Sequence, residues 1–221
     1  MIKLVVFDWN GTILADARLS WKADDIIFEK FGNGQISFKQ FQDTFEIPVN
    51  IFYEKNGLSQ EKAEANLEEI RETFHNTYEE LAKHARTRHG ARKLLKWLQK
   101  NNIPAVLLSN HTVTGIDHQI KRLKIDNYFA AVLANSTRGD AFHSATKTEK
   151  LRKYMETHSY KPEEVMIVGD TVEEYEIGSE MGLKTTLITD GYHSLERLKK
   201  CNCDYLINKL PELTKILGEI K

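Results

Sequence analysis

Ile2-Lys3-Leu4-Val5-Val6-Phe7-Asp8-Trp9-Asn10-Gly11-Thr12 is the stretch that decides the fold. Residues 2–7 are almost continuously apolar and rich in β-branched side chains, the pattern of a strand buried on both faces. The run stops at Asp8, a carboxylate set immediately after the strand, and Gly11 lets backbone amides approach an anion closely. Taken alone, Asp-x-Asn-Gly at a strand end also reads as an ordinary turn, because Asn-Gly is a strong turn pair. The rest of the chain decides between the two.

After Thr12 the pattern changes from strand to helix, with helices expected over 19–31, 38–45 and 60–85 and no convincing strand among them. From Gly90 onward apolar runs alternate with helical stretches. Strands are expected at 105–108, 129–134, 165–168, 185–188 and 205–207, and helices at 91–100, 114–123, 149–157, 172–181, 195–200 and 211–217. Strands separated by helices of this length imply right-handed crossovers and a parallel sheet covered on both faces. The expected fold is therefore α/β: a Rossmann-like core of residues 1–14 and 88–221, with an all-helical cap of residues 15–87 inserted after the first strand. In such sheets ligands sit outside the carboxyl ends of the strands.

The 221 residues suffice for a core with a smaller inserted domain. Lysine and arginine number 31 against 32 acidic residues, so no global basic field argues for nucleic acid. The two cysteines, Cys201 and Cys203, read as free thiols; one residue apart, they would close only a strained loop, and they offer too few ligands for a structural zinc. The N-terminus lacks a signal-peptide pattern and no apolar run reaches membrane-spanning length, so the expected location is cytoplasmic, with no membrane partner. Oligomeric state is not legible.

Three further features join Asp8. Ser109 follows an apolar run and can offer its hydroxyl, with the amide of Asn110, to a phosphate oxygen. Asp170 ends the run Val165-Met166-Ile167-Val168-Gly169 and reads either as a helix N-cap or as a metal ligand. Glu173 and Glu174 follow it, where the helix dipole alone favours acids. Lys147 falls just before the helix that leads into that strand, where an ammonium can reach the strand ends; Lys150 and Lys153 lie within the helix. Each residue has an ordinary surface explanation, but four such features in one Rossmann-like chain do not.

In order and spacing these features resemble the haloacid dehalogenase superfamily, specifically phosphoglycolate phosphatase-like members with a helical C1-type cap, and the resemblance covers nearly the whole chain, including Thr189-Asp190-Gly191-Tyr192. It implies a phosphatase acting on a small phosphorylated metabolite, with Asp8 as nucleophile. Gly11, Ser109, Asn110 and Lys147 would bind phosphate, Lys147 neutralising charge. Mg2+ would be held by Asp8, the Asn10 carbonyl and Asp170, with Glu174 as an outer-shell acid acting through water. Two carboxylates, a carbonyl and a phosphate oxygen suit a hard cation that keeps several waters.

The chain departs from the family at Asn10, where most such phosphatases carry an aspartate that protonates the leaving group and activates water. An amide cannot transfer protons, and losing a general acid/base costs roughly two to four orders of magnitude in rate. Three readings follow: a slow phosphatase for substrates with good leaving groups such as acyl phosphates, a catalytically weak or regulatory phosphate-binding protein, or a dehalogenase or phosphonate hydrolase. Asp170 and its neighbouring acids speak against a metal-free dehalogenase, and no cap lysine is marked for Schiff-base chemistry. Asn10-Gly11 is also a deamidation-prone pair.

Of eight histidines only His111 is expected near the site, as a substrate contact or as a solvent-facing loop residue. Trp9 is expected toward the cap, for packing or substrate contact, and Tyr53 and Tyr78 as core. The segment 46–58 is expected to be a loop facing the substrate.

Overall fold

Six parallel strands, ordered β3-β2-β1-β4-β5-β6, form one sheet among the described residues, 1–136 and 146–220 of a computed structural model. They are β1 (Leu4–Asp8), β2 (Ala105–Thr112), β3 (Phe129–Asn135), β4 (Val165–Gly169), β5 (Lys184–Ile188) and β6 (Tyr205–Ile207). The chain leaves β1 for β2 on one side and later returns to β4 on the other, so β1 lies at the point where strand order reverses. Register holds Asp8 level with Leu108 and Phe7 level with Val168, which brings the ends of β1, β2 and β4 to one edge.

The period-2 alternation of β1 explains the layers on either side. Val5 and Phe7 face a core shared with α6 (Ala91–Lys100), α7 (Val113–Arg122) and α11 (Glu212–Glu219). Leu4 and Val6 face the opposite core, closed by α8 (Lys147–Thr157) and α9 (Val172–Met181). Both faces are dry, which is why the strand reads as a continuous apolar run rather than an alternating one.

Five helices stand between β1 and α6: α1 (Ala17–Phe31), α2 (Phe38–Thr44), α3 (Val49–Lys55), α4 (Gln60–Ala65) and α5 (Leu67–Ala82). They build their own aromatic core, in which Phe28 and Phe41 meet Phe52 edge-on at centroid distances of 5.3 and 5.5 Å. Tyr192 from the loop after β5 joins it, 4.9 Å from Phe45. Polar contacts also link this layer to the sheet: Gln42 Nε2 donates to Gly191 O at 2.7 Å, and Arg197 Nη1 donates to Phe45 O at 2.6 Å. Where the chain returns, Arg88 donates to Gly11 O at 2.6 Å and to Thr189 O at 2.5 Å, holding together the loops after β1 and β5.

The structure corrects several expected boundaries. The single helix over 60–85 is two, broken at Asn66, whose backbone leaves the helical region (φ −119°, ψ 19°) while its Nδ2 turns back to Lys62 O at 2.8 Å. The expected loop 46–58 contains α3, because Phe52 and Tyr53 are needed in the aromatic core and a seven-residue helix is too short to show its period. Strand β2 continues past 108 to Thr112 through an irregular register, so Ser109 lies within it. Lys147 is the first residue of α8, after the capping box of Thr146 and Glu149, rather than a residue before the helix. Residues 137–145 and 221, part of the expected core, lie outside the described residues. Among the described residues no helix is long and apolar enough to cross a membrane.

Candidate active site

Asp8 ends β1 and is buried, and the chain turns immediately at Gly11, whose φ of +73° favours a residue without Cβ. A Cβ on Gly11 would also collide with the Asp170 carboxylate, as would one on Gly191. Two glycines from different loops therefore close around Asp170. That carboxylate accepts from Thr12 Oγ1 at 2.5 Å and from the Tyr192 amide at 2.7 Å. It is not the N-cap of α9; Thr171 is, in a capping box with Glu174. Burial, followed by the charge of Glu174, raises the Asp170 pKa to about 7, against the Thr12 and Tyr192 hydrogen bonds and Arg88.

Lys147 enters from the start of α8 and meets three carboxylates: Asp8 Oδ1 at 2.8 Å, Glu174 Oε1 at 2.7 Å and Glu173 Oε2 at 2.9 Å. Burial opposes its charge, but Asp8, Glu174 and Glu173 overcome that and hold its pKa well above the ordinary lysine value. Burial pushes the Asp8 carboxyl well above the usual range, aided by Glu174 and Asp170 and opposed by Lys147. One ammonium thus faces more negative charge than it can neutralise.

The donor set fits the Mg2+ that the resemblance implies. Asp8 and Asp170 are buried oxygen donors whose ionised forms are disfavoured by burial and mutual repulsion, a cost that a divalent cation would offset. Among the described residues no cluster of three or more His, Cys, Asp or Glu side chains is arranged to hold a metal. The expected set accordingly rests on two carboxylates and the Asn10 carbonyl, leaving other positions to water and substrate.

Ser109 is buried in β2, its Oγ accepting from the His111 amide at 3.1 Å. Asn110 is exposed and donates to Glu173 from 3.2 Å, so it stands beside the Lys147 cluster. Glu174 accepts from Lys147 and from Thr171 Oγ1, the latter at 2.7 Å. Lys150 turns instead to Asn135, outside this cluster.

Around the site the structure adds to and revises the expectations. Trp9 points into the sheet core rather than the cap, its Nε1 donating to Gln119 of α7 at 2.7 Å, because the turn after Asp8 reverses the side-chain direction. Tyr78 is buried as expected of a core residue, but its hydroxyl donates to Asp16 at 2.6 Å and accepts from Asn10 Nδ2 at 2.9 Å. Asp16, which no sequence signal singled out, also accepts from Asn10 Nδ2 at 2.6 Å. His111 is partly buried, its Nε2 4.0 Å from Glu79. It is not the only histidine nearby: His193 is buried and accepts at Nδ1 from the Val172 amide at 3.0 Å, at the start of α9. Its place just after Gly191-Tyr192 was the available signal.

Comparison with known proteins gives the family. The family model described as haloacid dehalogenase-like hydrolase matches residues 5–188. The pyrophosphatase PpaX of Anoxybacillus flavithermus is 23% identical over 224 aligned positions, covering 98% of this chain and 97% of the relative. A haloacid dehalogenase-like hydrolase from Streptococcus pneumoniae superimposes with a TM-score of 0.81 at 20% identity, covering 98% of each chain. A predicted phosphoglycolate phosphatase from Haemophilus somnus gives 0.77 at 14%, again over 98% of each. With its parallel sheet and the family match spanning most of its length, the chain belongs to the haloacid dehalogenase-like hydrolases.

Proposed function

We propose that the protein is a Mg2+-dependent phosphatase that works through an aspartyl-phosphate on Asp8 and favours small phosphorylated metabolites whose leaving group needs no proton. The observation that carries this reading is the buried Asp8 carboxylate, facing the Lys147 ammonium at 2.8 Å beside a second buried carboxylate, Asp170. Asp8, the Asn10 carbonyl and Asp170 would hold the metal, which when bound screens the charge of nucleophile and phosphate from each other. Asp8 attacks phosphorus, the bond to the leaving group breaks, and the phosphoryl group passes to the carboxylate. Ser109 Oγ, the Asn110 amide and Lys147 bind its oxygens, Lys147 stabilising developing charge, while Gly11, its own N–H given to Asp16, shapes the loop beside them. Water then attacks phosphorus, the bond to the Asp8 oxygen breaks and the water's proton passes to the departing phosphate or to solvent, restoring the Asp8 carboxylate.

Asn10 determines the substrate class in this account. Its amide cannot protonate a leaving oxygen, so leaving groups that depart as stable anions, acyl or phosphoric, are favoured over alkoxides. The relatives named pyrophosphatase fit that class. The second step also lacks a base at position 10, so hydrolysis of the phosphoprotein is slow. We place the helical segment 15–87 over the site as the cap that selects the rest of the substrate, and Glu174 behind Lys147, where it could also support the metal through water. A cytoplasmic location accords with the free thiols Cys201 and Cys203.

Turnover of acetyl phosphate, inorganic pyrophosphate and p-nitrophenyl phosphate with Mg2+ tests the proposal. Hydrolysis of acetyl phosphate or pyrophosphate, faster than that of alkyl phosphates, is expected. No turnover on any of them would leave the second reading, a phosphate-binding protein of weak or no catalysis, which the loss of an acid at position 10 favours.

A further inference from the structure

Asp16 stands just before α1, buried at 0% exposure, with no ion pair to it among the described residues. Four neutral donors converge on its carboxylate. Gly11 N reaches Oδ1 at 2.7 Å, and Asn10 Nδ2, Tyr78 OH and Tyr192 OH reach Oδ2 at 2.6, 2.6 and 3.2 Å. Tyr78 OH also accepts from Asn10 Nδ2, which closes a triangle of Asn10, Tyr78 and Asp16. Both N–H bonds of the Asn10 amide are thereby committed to protein partners.

The partners come from separate parts of the chain. Asp16 belongs to the crossing into the helical layer, Tyr78 to α5 within that layer, and Tyr192 to the loop after β5 in the sheet layer. An ionised carboxylate accepts hydrogen bonds and donates none, so its neighbour at position 10 must supply an N–H. Asparagine does. Aspartate there would set acceptor against acceptor beside the buried Asp16 carboxylate, where unmatched polar groups are costly.

We propose that Asp16 is the positioning residue for position 10, and that Asn10 and Asp16 form an exchangeable pair in which one carboxylate and one amide are required. The missing acid at position 10 is then matched by a carboxylate one loop away, and the two residues must change together. Asp16 acts through Asn10 rather than on the reacting atoms.

An exchange series tests this. Asn10→Asp alone is expected to lower the melting temperature by several degrees. Adding Asp16→Asn, which returns an amide and a carboxylate in reversed places, should recover most of the loss. The kinetic arm rests on the phosphatase reading: with Mg2+ and p-nitrophenyl phosphate, kcat of the exchanged variant should exceed that of Asn10→Asp by about tenfold or more, within the range of a restored acid/base, with KM little changed. A purely structural role would not divide the effect in that way. Should no variant turn over, the phosphatase reading fails while the order of melting temperatures still decides the pairing. Asn10→Asp melting with the native protein would overturn it, as would an exchanged variant no more stable than the single one. If Asn10→Asp does not fold, the native protein itself provides the measurement: its Asn10 side-chain amide protons should exchange slowly with solvent by NMR, and rapid exchange would overturn the proposal.

Discussion

Lys147 Nζ lies within 2.9 Å of Asp8, Glu174 and Glu173 together, a single ammonium shared among the carboxylate that ends β1 and two from the first turn of α9. Removing one partner of a buried ion pair costs about 3–5 kcal/mol, because the opposite charge is left uncompensated. Lys147→Met should therefore lower stability by several kcal/mol in urea unfolding as well as abolish turnover. A variant that loses activity at native stability would mean that the lysine does not hold this cluster together.

His193 links the start of α9 to the helical layer. Its Nδ1 accepts from Val172 N, and Nε2 lies 3.1 Å from Phe45 O. Burial first, then the Arg197 charge, lowers its pKa from 6.5 to about 3. The folded state binds the proton more weakly than the unfolded chain, so the stability present above pH 6.5 is lost as pH falls from about 6.5 toward about 3. Between pH 7 and pH 5 this group should remove about 2 kcal/mol. Urea unfolding at the two pH values measures it, and His193→Asn should flatten that part of the profile.

Asp24 in α1 is buried, and its Oδ1 accepts a long hydrogen bond from Tyr53 OH at 3.5 Å. Burial raises its pKa well above the usual carboxylate range, so the folded state binds its proton more tightly. Its contribution to stability falls as pH rises from the ordinary aspartate value toward the raised one. Asp24→Asn is expected to raise the thermal midpoint at pH 7 by several degrees, with the gain shrinking toward pH 4. Equal gains at both pH values would contradict the assignment.

Deamidation at Asn10-Gly11 requires attack by the Gly11 nitrogen on the asparagine side chain. That N–H is committed to Asp16 Oδ1 at 2.7 Å, and the Asn10 amide is itself held. Peptide mass analysis after prolonged incubation should find Asn10 intact in the folded protein and converted in urea. Conversion at equal rates in the two states would show that the loop does not protect it.

The sheet and four of the site residues were legible because each follows an uninterrupted apolar run or lies at the start of a helix, positions defined by local pattern. Asp8, Ser109, Lys147 and Asp170 needed no knowledge of distant neighbours. Asp16 did: an aspartate before a helix reads as a cap, yet its side chain makes no cap hydrogen bond to α1 and turns instead to Asn10, Tyr78 and Tyr192. Tyr78 packs 5.8 Å from Phe74 on α5 and looks like core by spacing, and only the destination of its hydroxyl sets it apart. Trp9 was misread because side-chain direction beyond a strand end depends on the turn, here made at Gly11 with φ +73°.

The central claim is that Asp8 carries the phosphoryl group. Mixing the protein with acetyl phosphate and Mg2+, quenching in acid and analysing peptides by mass tests it most directly. One hydroxylamine-labile phosphoryl group on the peptide containing Asp8 is predicted, persisting because no base at position 10 speeds its hydrolysis, and absent in Asp8→Asn. An unmodified Asp8 peptide while acetyl phosphate is being consumed, or the same label in Asp8→Asn, would contradict the account.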